Sequence, residues 1–93
     1  MKAYLIGYDL NKSGQDYTTL IEEIKKYKTW WHHLDSTWIV ITESSATNIR
    51  NHLKDFIDQN DELLVVKLSS EAAWTGFNNK GSKWLKENLS NVQ

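Results

Sequence analysis

The sequence predicts one α+β domain in which a four-stranded antiparallel sheet carries two helices on one face. Three observations predict it. Four apolar or aromatic runs have strand character. Two stretches with helical apolar spacing separate them, in the order strand, helix, strand, strand, helix, strand. The chain has 93 residues, enough for one core and too few for two. Hydrophobic residues make up 40% and charged residues 25%, an ordinary globular balance. There is no cysteine, so neither a disulfide framework nor a thiolate zinc site can brace the domain.

Lys2 to Leu10 reads as the first strand, with Tyr4, Ile6, Tyr8 and Leu10 on one face and Ala3, Leu5, Gly7 and Asp9 on the other. Asn11 to Asp16 is a polar loop ending in a helix cap. Tyr17, Leu20, Ile21, Ile24 and Tyr27 then recur at helical spacing, and Glu22 stands four residues before Lys26 as a surface pair. Aromatic and β-branched residues dominate from Thr29 to Thr42, and Asp35-Ser36 interrupts them as a tight turn does, giving strands at 29–34 and 37–42. Ser44 or Ser45 caps a second helix whose apolar positions are Ala46, Ile49, Leu53, Phe56 and Ile57, with Asn60 as its left-handed terminator. Glu62 to Leu68 holds the block Leu63-Leu64-Val65-Val66, apolar enough on both faces for the middle of a sheet. Residues 1–70 thus form the core. Residues 71–93 are a carboxy-terminal extension of the same domain: an edge strand over Ala72 to Phe77, then a short helix capped by Ser82 and packed by Trp84, Leu85 and Leu89.

Right-handed crossovers put both helices of a βαββαβ unit on one side of the sheet, the ferredoxin-like two-layer sandwich. The other side is left bare. With the first and last strands expected at the sheet's centre and apolar on both faces, the bare side amounts to a patch of roughly several hundred Å², more than soluble monomers usually expose. An isologous partner is the expected cover, and the carboxy-terminal segment folding back is the alternative.

Asp9 is the leading candidate for chemistry. It stands where the first strand leaves the sheet, and on a two-fold sheet face it can approach its own copy. Paired carboxylates are hard oxygen ligands for Mg²⁺ or Mn²⁺, which can polarise a phosphodiester and activate water. Its other reading is a loop cap that accepts backbone hydrogen bonds. His32 and His33 are adjacent on a strand, point to opposite faces and cannot share a metal; His33 is the candidate acid or base. His52 lies on the polar side of the second helix with no evident carboxylate partner. Of the tryptophans, Trp30, Trp31 and Trp38 suit core or interface, whereas Trp74 and Phe77 suit an exposed aromatic contact. Tyr8, Trp74, Phe77 and Arg50, the sole arginine, are the candidate contacts to nucleic acid or a partner. Lysines gather at Lys25, Lys26 and Lys28 and at Lys80, Lys83 and Lys86, but a net charge of −1 argues against avid non-specific nucleic-acid binding. No phosphate loop, dinucleotide fingerprint or nucleophile elbow is present. With no leader-like pattern and no run approaching the roughly 18 apolar residues of a membrane span, a cytoplasmic location is expected.

The strand ending in Tyr8-Asp9-Leu10, the helix running into Lys26-Tyr27, the segment Leu34-Asp35-Ser36-Thr37-Trp38-Ile39-Val40, and Phe56-Ile57-Asp58 through Asp61-Glu62-Leu63-Leu64-Val65-Val66 follow one another in a familiar order. Over about residues 2–68 the chain resembles the small CRISPR-associated Cas-two family, and more closely its SinR-like branch. The resemblance implies a ferredoxin-like homodimer with a metal-binding aspartate at Asp9, acting as a metal-dependent nuclease on RNA or DNA or as a scaffold for the CRISPR integrase. Distantly similar VapD-type proteins are ribonucleases. Members that handle DNA carry several arginines where this chain has one, and the tail from Ser70 matches no family element. The leading expectation is therefore Mg²⁺- or Mn²⁺-dependent phosphodiester hydrolysis by a homodimer. The alternative is a non-catalytic dimeric module that binds a protein, a nucleic acid or a small nucleotide.

Overall fold

The computed structural model describes residues 1–11 and 17–90. The elements run β1 (Lys2–Asp9), α1 (Thr18–Ile24), β2 (Thr29–Leu34), β3 (Thr37–Thr42), α2 (Ala46–Leu53), a 3₁₀ turn (Lys54–Phe56), β4 (Glu62–Leu68) and α3 (Asn79–Leu89). The four strands form one antiparallel sheet in the order β2-β3-β1-β4. No helix among the described residues is long and apolar enough to cross a membrane.

Period-two side-chain alternation divides the core into two clusters. On one face Tyr4 and Ile6 of β1 and Trp38 and Val40 of β3 pack against Leu20 and Ile24 of α1 and Ile49 and Leu53 of α2. On the other, Ala3, Ile39, Ile41 and Trp31 pack against Leu85 and Leu89 of α3, with Leu68, Trp74, Phe77 and Trp84 around them. Between Trp31 and Leu34 the register with β3 slips by one residue, a β-bulge that turns Leu34 onto the face of Trp31.

Several expectations are corrected. The apolar β4 is an edge strand and not a central one: β1 and β3 occupy the middle. Its Leu63 and Val65 pack beneath the α1–α2 layer, while Leu64 is 60% and Val66 41% exposed on the opposite face. Residues 72–77 form no strand. Trp74 and Phe77 instead fold over the sheet, and α3 follows from a cap at Asn78, not Ser82; the Asn78 side chain accepts from the Gly81 amide at 2.7 Å. The tail therefore covers part of the face left bare by α1 and α2. No non-glycine residue among those described has a positive φ, so Asn60 is not a left-handed terminator; α2 tightens into its 3₁₀ turn and ends at an extended Ile57. Ser45 caps α2 by accepting from the Asn48 amide at 3.1 Å. The expected cap at Asp16 lies outside the described residues, and Tyr17 at the start of α1 makes no side-chain cap.

Leu85 tests whether α3 is a structural layer. Truncating a buried leucine costs about 2–5 kcal/mol, so Leu85→Ala should lower the urea midpoint by a corresponding amount. A loss within about 0.5 kcal/mol, the range of ordinary surface changes, would mean that α3 does not hold the sheet.

Candidate functional site

Because Asp9 ends β1 in phase with Ala3, Leu5 and Gly7, it belongs to the α3 side of the sheet, beyond the part that α3 covers. Its side chain is exposed. It borders an open cleft of about 430 Å³ formed with Gly7, Tyr8, Ser36, Thr37, Glu62 and Leu64. The β1–β4 register sets Asp9 directly opposite Glu62. Directly opposed like charges on paired strands repel, so the register places two acidic residues side by side at this end of the sheet. Within the chain, no group of three or more His, Cys, Asp or Glu converges among the described residues.

Of the other candidate residues only Tyr8 borders the same cleft, and its hydroxyl is turned away from the carboxylate pair. The Tyr8 hydroxyl accepts a 2.9 Å bond from Trp38 Nε1, which holds its ring on the α1–α2 face. Arg50 lies on α2, on that same side, with its guanidinium on Asn51 Oδ1 at 3.0 and 3.2 Å. His32 and His33 do diverge. His32 stacks on Trp38 with ring centroids 3.8 Å apart, whereas His33 packs on Phe77 at 4.7 Å. His33 borders a different cleft, beside the start of α3, and not the one at Asp9. Trp74 and Phe77 are half-buried against the sheet, and Trp74 Nε1 donates to Ser82 Oγ at 3.1 Å. The two rings are thus part of the packing of the second face.

Two polar clusters were not visible in the spacing. His52 has a carboxylate partner after all, on α1: its Nε2 is 2.8 Å from Glu23 Oε1, and its Nδ1 is 3.0 Å from the Tyr27 hydroxyl. Lys26 Nζ reaches Glu23 Oε2 at 2.7 Å, so the surface pair uses Glu23 and not Glu22. The Lys26 and His52 hydrogen bonds hold the Glu23 carboxyl below its ordinary range, and Glu23 in turn raises Lys26. Burial, then the Glu23 charge, raises Tyr27. The second cluster centres on Asp61, whose carboxylate accepts from the Asn11 amide, the Tyr17 hydroxyl and the Asp58 amide at 2.7–2.9 Å. It ties the exit of β1 to the entrance of β4, next to Glu62. Beyond the local Glu23–Lys26 and Asp58–Asp61 contacts, no local pattern predicts these clusters, because His52, Asn11 and Tyr17 are brought to them by the α1–α2 packing and the β1–β4 pairing.

No protein-family model matches the chain, and no solved structure matches it.

The Glu23 network has a pH signature. Since the folded carboxyl is depressed, the stability it contributes is present above the ordinary carboxylate range and is lost as pH falls through the folded value. Glu23→Gln should melt below the wild type at neutral pH and converge with it in acid. A gap that persists unchanged into acid would show that the carboxylate charge is not what ties α1 to α2.

Proposed function

We propose that the chain is a ferredoxin-like, Cas-two-like domain that works as a homodimer and hydrolyses phosphodiester bonds of RNA or DNA with Mg²⁺ or Mn²⁺ held at Asp9. The observation that carries this reading is the position of Asp9: exposed at the end of a central strand, opposite Glu62, on the sheet face that stays partly uncovered. The strand order β2-β3-β1-β4, antiparallel throughout and with α1 and α2 on one face, supports the ferredoxin-like assignment.

Support for the dimer comes from what α3 leaves open. Leu34, Leu64 and Val66 are 46%, 60% and 41% exposed, and with Leu5 they share the face of Asp9. A two-fold axis through this surface would bury them and bring two Asp9–Glu62 pairs together. Two carboxylates from one chain are a sparse set for a divalent ion, and four from two chains fit the hard oxygen donors that Mg²⁺ and Mn²⁺ require. The ion, when bound, would polarise the phosphodiester and activate water. Asp9 and Glu62 would hold and orient it, and the open cleft would admit an extended strand.

Leu64→Glu and Asp9→Asn test the two halves of this reading. Leu64→Glu should fold and sediment as a monomer where the wild type is a dimer. Asp9→Asn should remain dimeric and lose metal-dependent cleavage by at least about 100-fold, the upper range for losing even a supporting group around a metal. Cleavage that survives Asp9→Asn, or that persists in the monomer, overturns the proposal. Binding of nucleic acid without cleavage by the wild type would make the chain the non-catalytic module instead.

A further inference from the structure

A second cleft, sharing no residue with the one at Asp9, opens where the outer edge of β2 meets the first turn of α3. It measures about 260 Å³, and Trp31, His33, Asn78, Lys80, Gly81 and Trp84 border it; no acidic residue does. Helix geometry leaves the first amides of α3 without intrahelical acceptors. The Asn78 side chain takes the Gly81 amide and the Asn78 carbonyl takes that of Ser82 at 3.0 Å, which leaves the amides of Asn79 and Lys80 as the first-turn donors without an intrahelical acceptor. The positive end of the helix dipole and the exposed Lys80 ammonium add to the same local field.

An independent observation points to the same place. Trp31 is only 6% exposed, and its indole Nε1, buried from water, has no hydrogen-bond partner. An orphaned donor of this kind is costly and favours any ligand that supplies an acceptor. It lies against the first turn of α3. A Cβ on residue 81 would stand 3.5 Å from Trp31 Nε1, 3.9 Å from His33 Nδ1 and 3.2 Å from Asn78 Oδ1. Gly81 thus keeps side-chain atoms out of the space between the helix start and two ring nitrogens. Asn78 Oδ1 there already accepts from the Gly81 amide.

We propose that the first turn of α3, Lys80 and the Trp31 indole form a binding site for the phosphate group of a nucleotide. Phosphate is the anion that matches this donor set, because its several oxygens can accept from the backbone amides, the ammonium and the indole together. The half-buried Trp84 and the exposed His33 at the cleft supply ring faces for a base. The site does not depend on Asp9 and stands whether or not the chain cleaves nucleic acid.

The five tryptophan indole N–H signals of the ¹⁵N-labelled full chain read this site directly. Inorganic phosphate and AMP are titrated separately, at constant ionic strength in chloride, and Trp31→Phe identifies the Trp31 signal. The expected result is a saturable shift of that signal with a dissociation constant on the order of 1 mM or tighter. If Trp31→Phe fails to fold, Lys80→Glu at an exposed position carries the test and should weaken binding at least about tenfold by reversing the charge beside the helix start. Tightening of at least about fivefold for AMP over inorganic phosphate, the low end for one stacked base, supports a nucleotide ligand. Equal affinities support the phosphate site and remove the base from it. An indole signal that ignores both ligands, or a saturable shift unaffected by Lys80→Glu, overturns the inference.

Discussion

The constraint on which this molecule depends is a central strand that is apolar on both sides. Tyr4 and Ile6 of β1 face one way, and Ala3 and Leu5 face the other, so two separate layers must cover the sheet. Helices α1 and α2 supply the first layer, at the cost of two crossovers that fix the strand order. The second is assembled from the tail, where Trp74, Phe77, Leu85 and Leu89 close over β3 and the start of β1. Since α3 reaches only part of that face, an apolar groove of about 220 Å³ remains beside it, bordered by Leu5, Leu34, Leu68 and Phe77. Intramolecular cover by the tail is thus incomplete, and it leaves one part of this surface open.

The polar interactions of the fold join elements far apart in sequence. Glu23, His52 and Tyr27 link α1 to α2 across the outer surface of the first layer, and Asp61 ties the two loops at the Asp9 end of the sheet. A carboxylate that accepts from an amide and a phenol at once fixes the start of β4 relative to β1. The opposition of Asp9 and Glu62 is a consequence of that register, and so the acidity of the cleft is set by the loop tie as much as by the two residues themselves.

Much of this was legible in the sequence, for local reasons. The β2–β3 hairpin is placed by aromatic and β-branched residues on either side of Asp35-Ser36, and its strand limits agree with the expected ones. The opposite orientations of His32 and His33 follow from strand geometry alone, as does the exposed end-of-strand position of Asp9. What failed was long-range. An apolar run such as Leu63-Leu64-Val65-Val66 reports hydrophobicity but not sheet position, and an edge strand with exposed Leu64 reads the same as a central one. The Glu23 partner of His52 is 29 residues away, and Glu62 becomes the neighbour of Asp9 only through pairing. Residues 72–77 carry strand-forming types but pack by their rings, because the uncovered sheet offers Trp74 and Phe77 more apolar surface than an added edge would.

The position of β4 has one further consequence. An outermost strand with apolar side chains on both faces and an unpaired row of backbone amides and carbonyls is a template on which other chains can stack. Glu62 and Lys67, both exposed, bracket Leu63–Val66 with opposite charges. They act as gatekeepers against fibril-like polymerisation, which allows this small domain to keep a greasy margin along its outer strand.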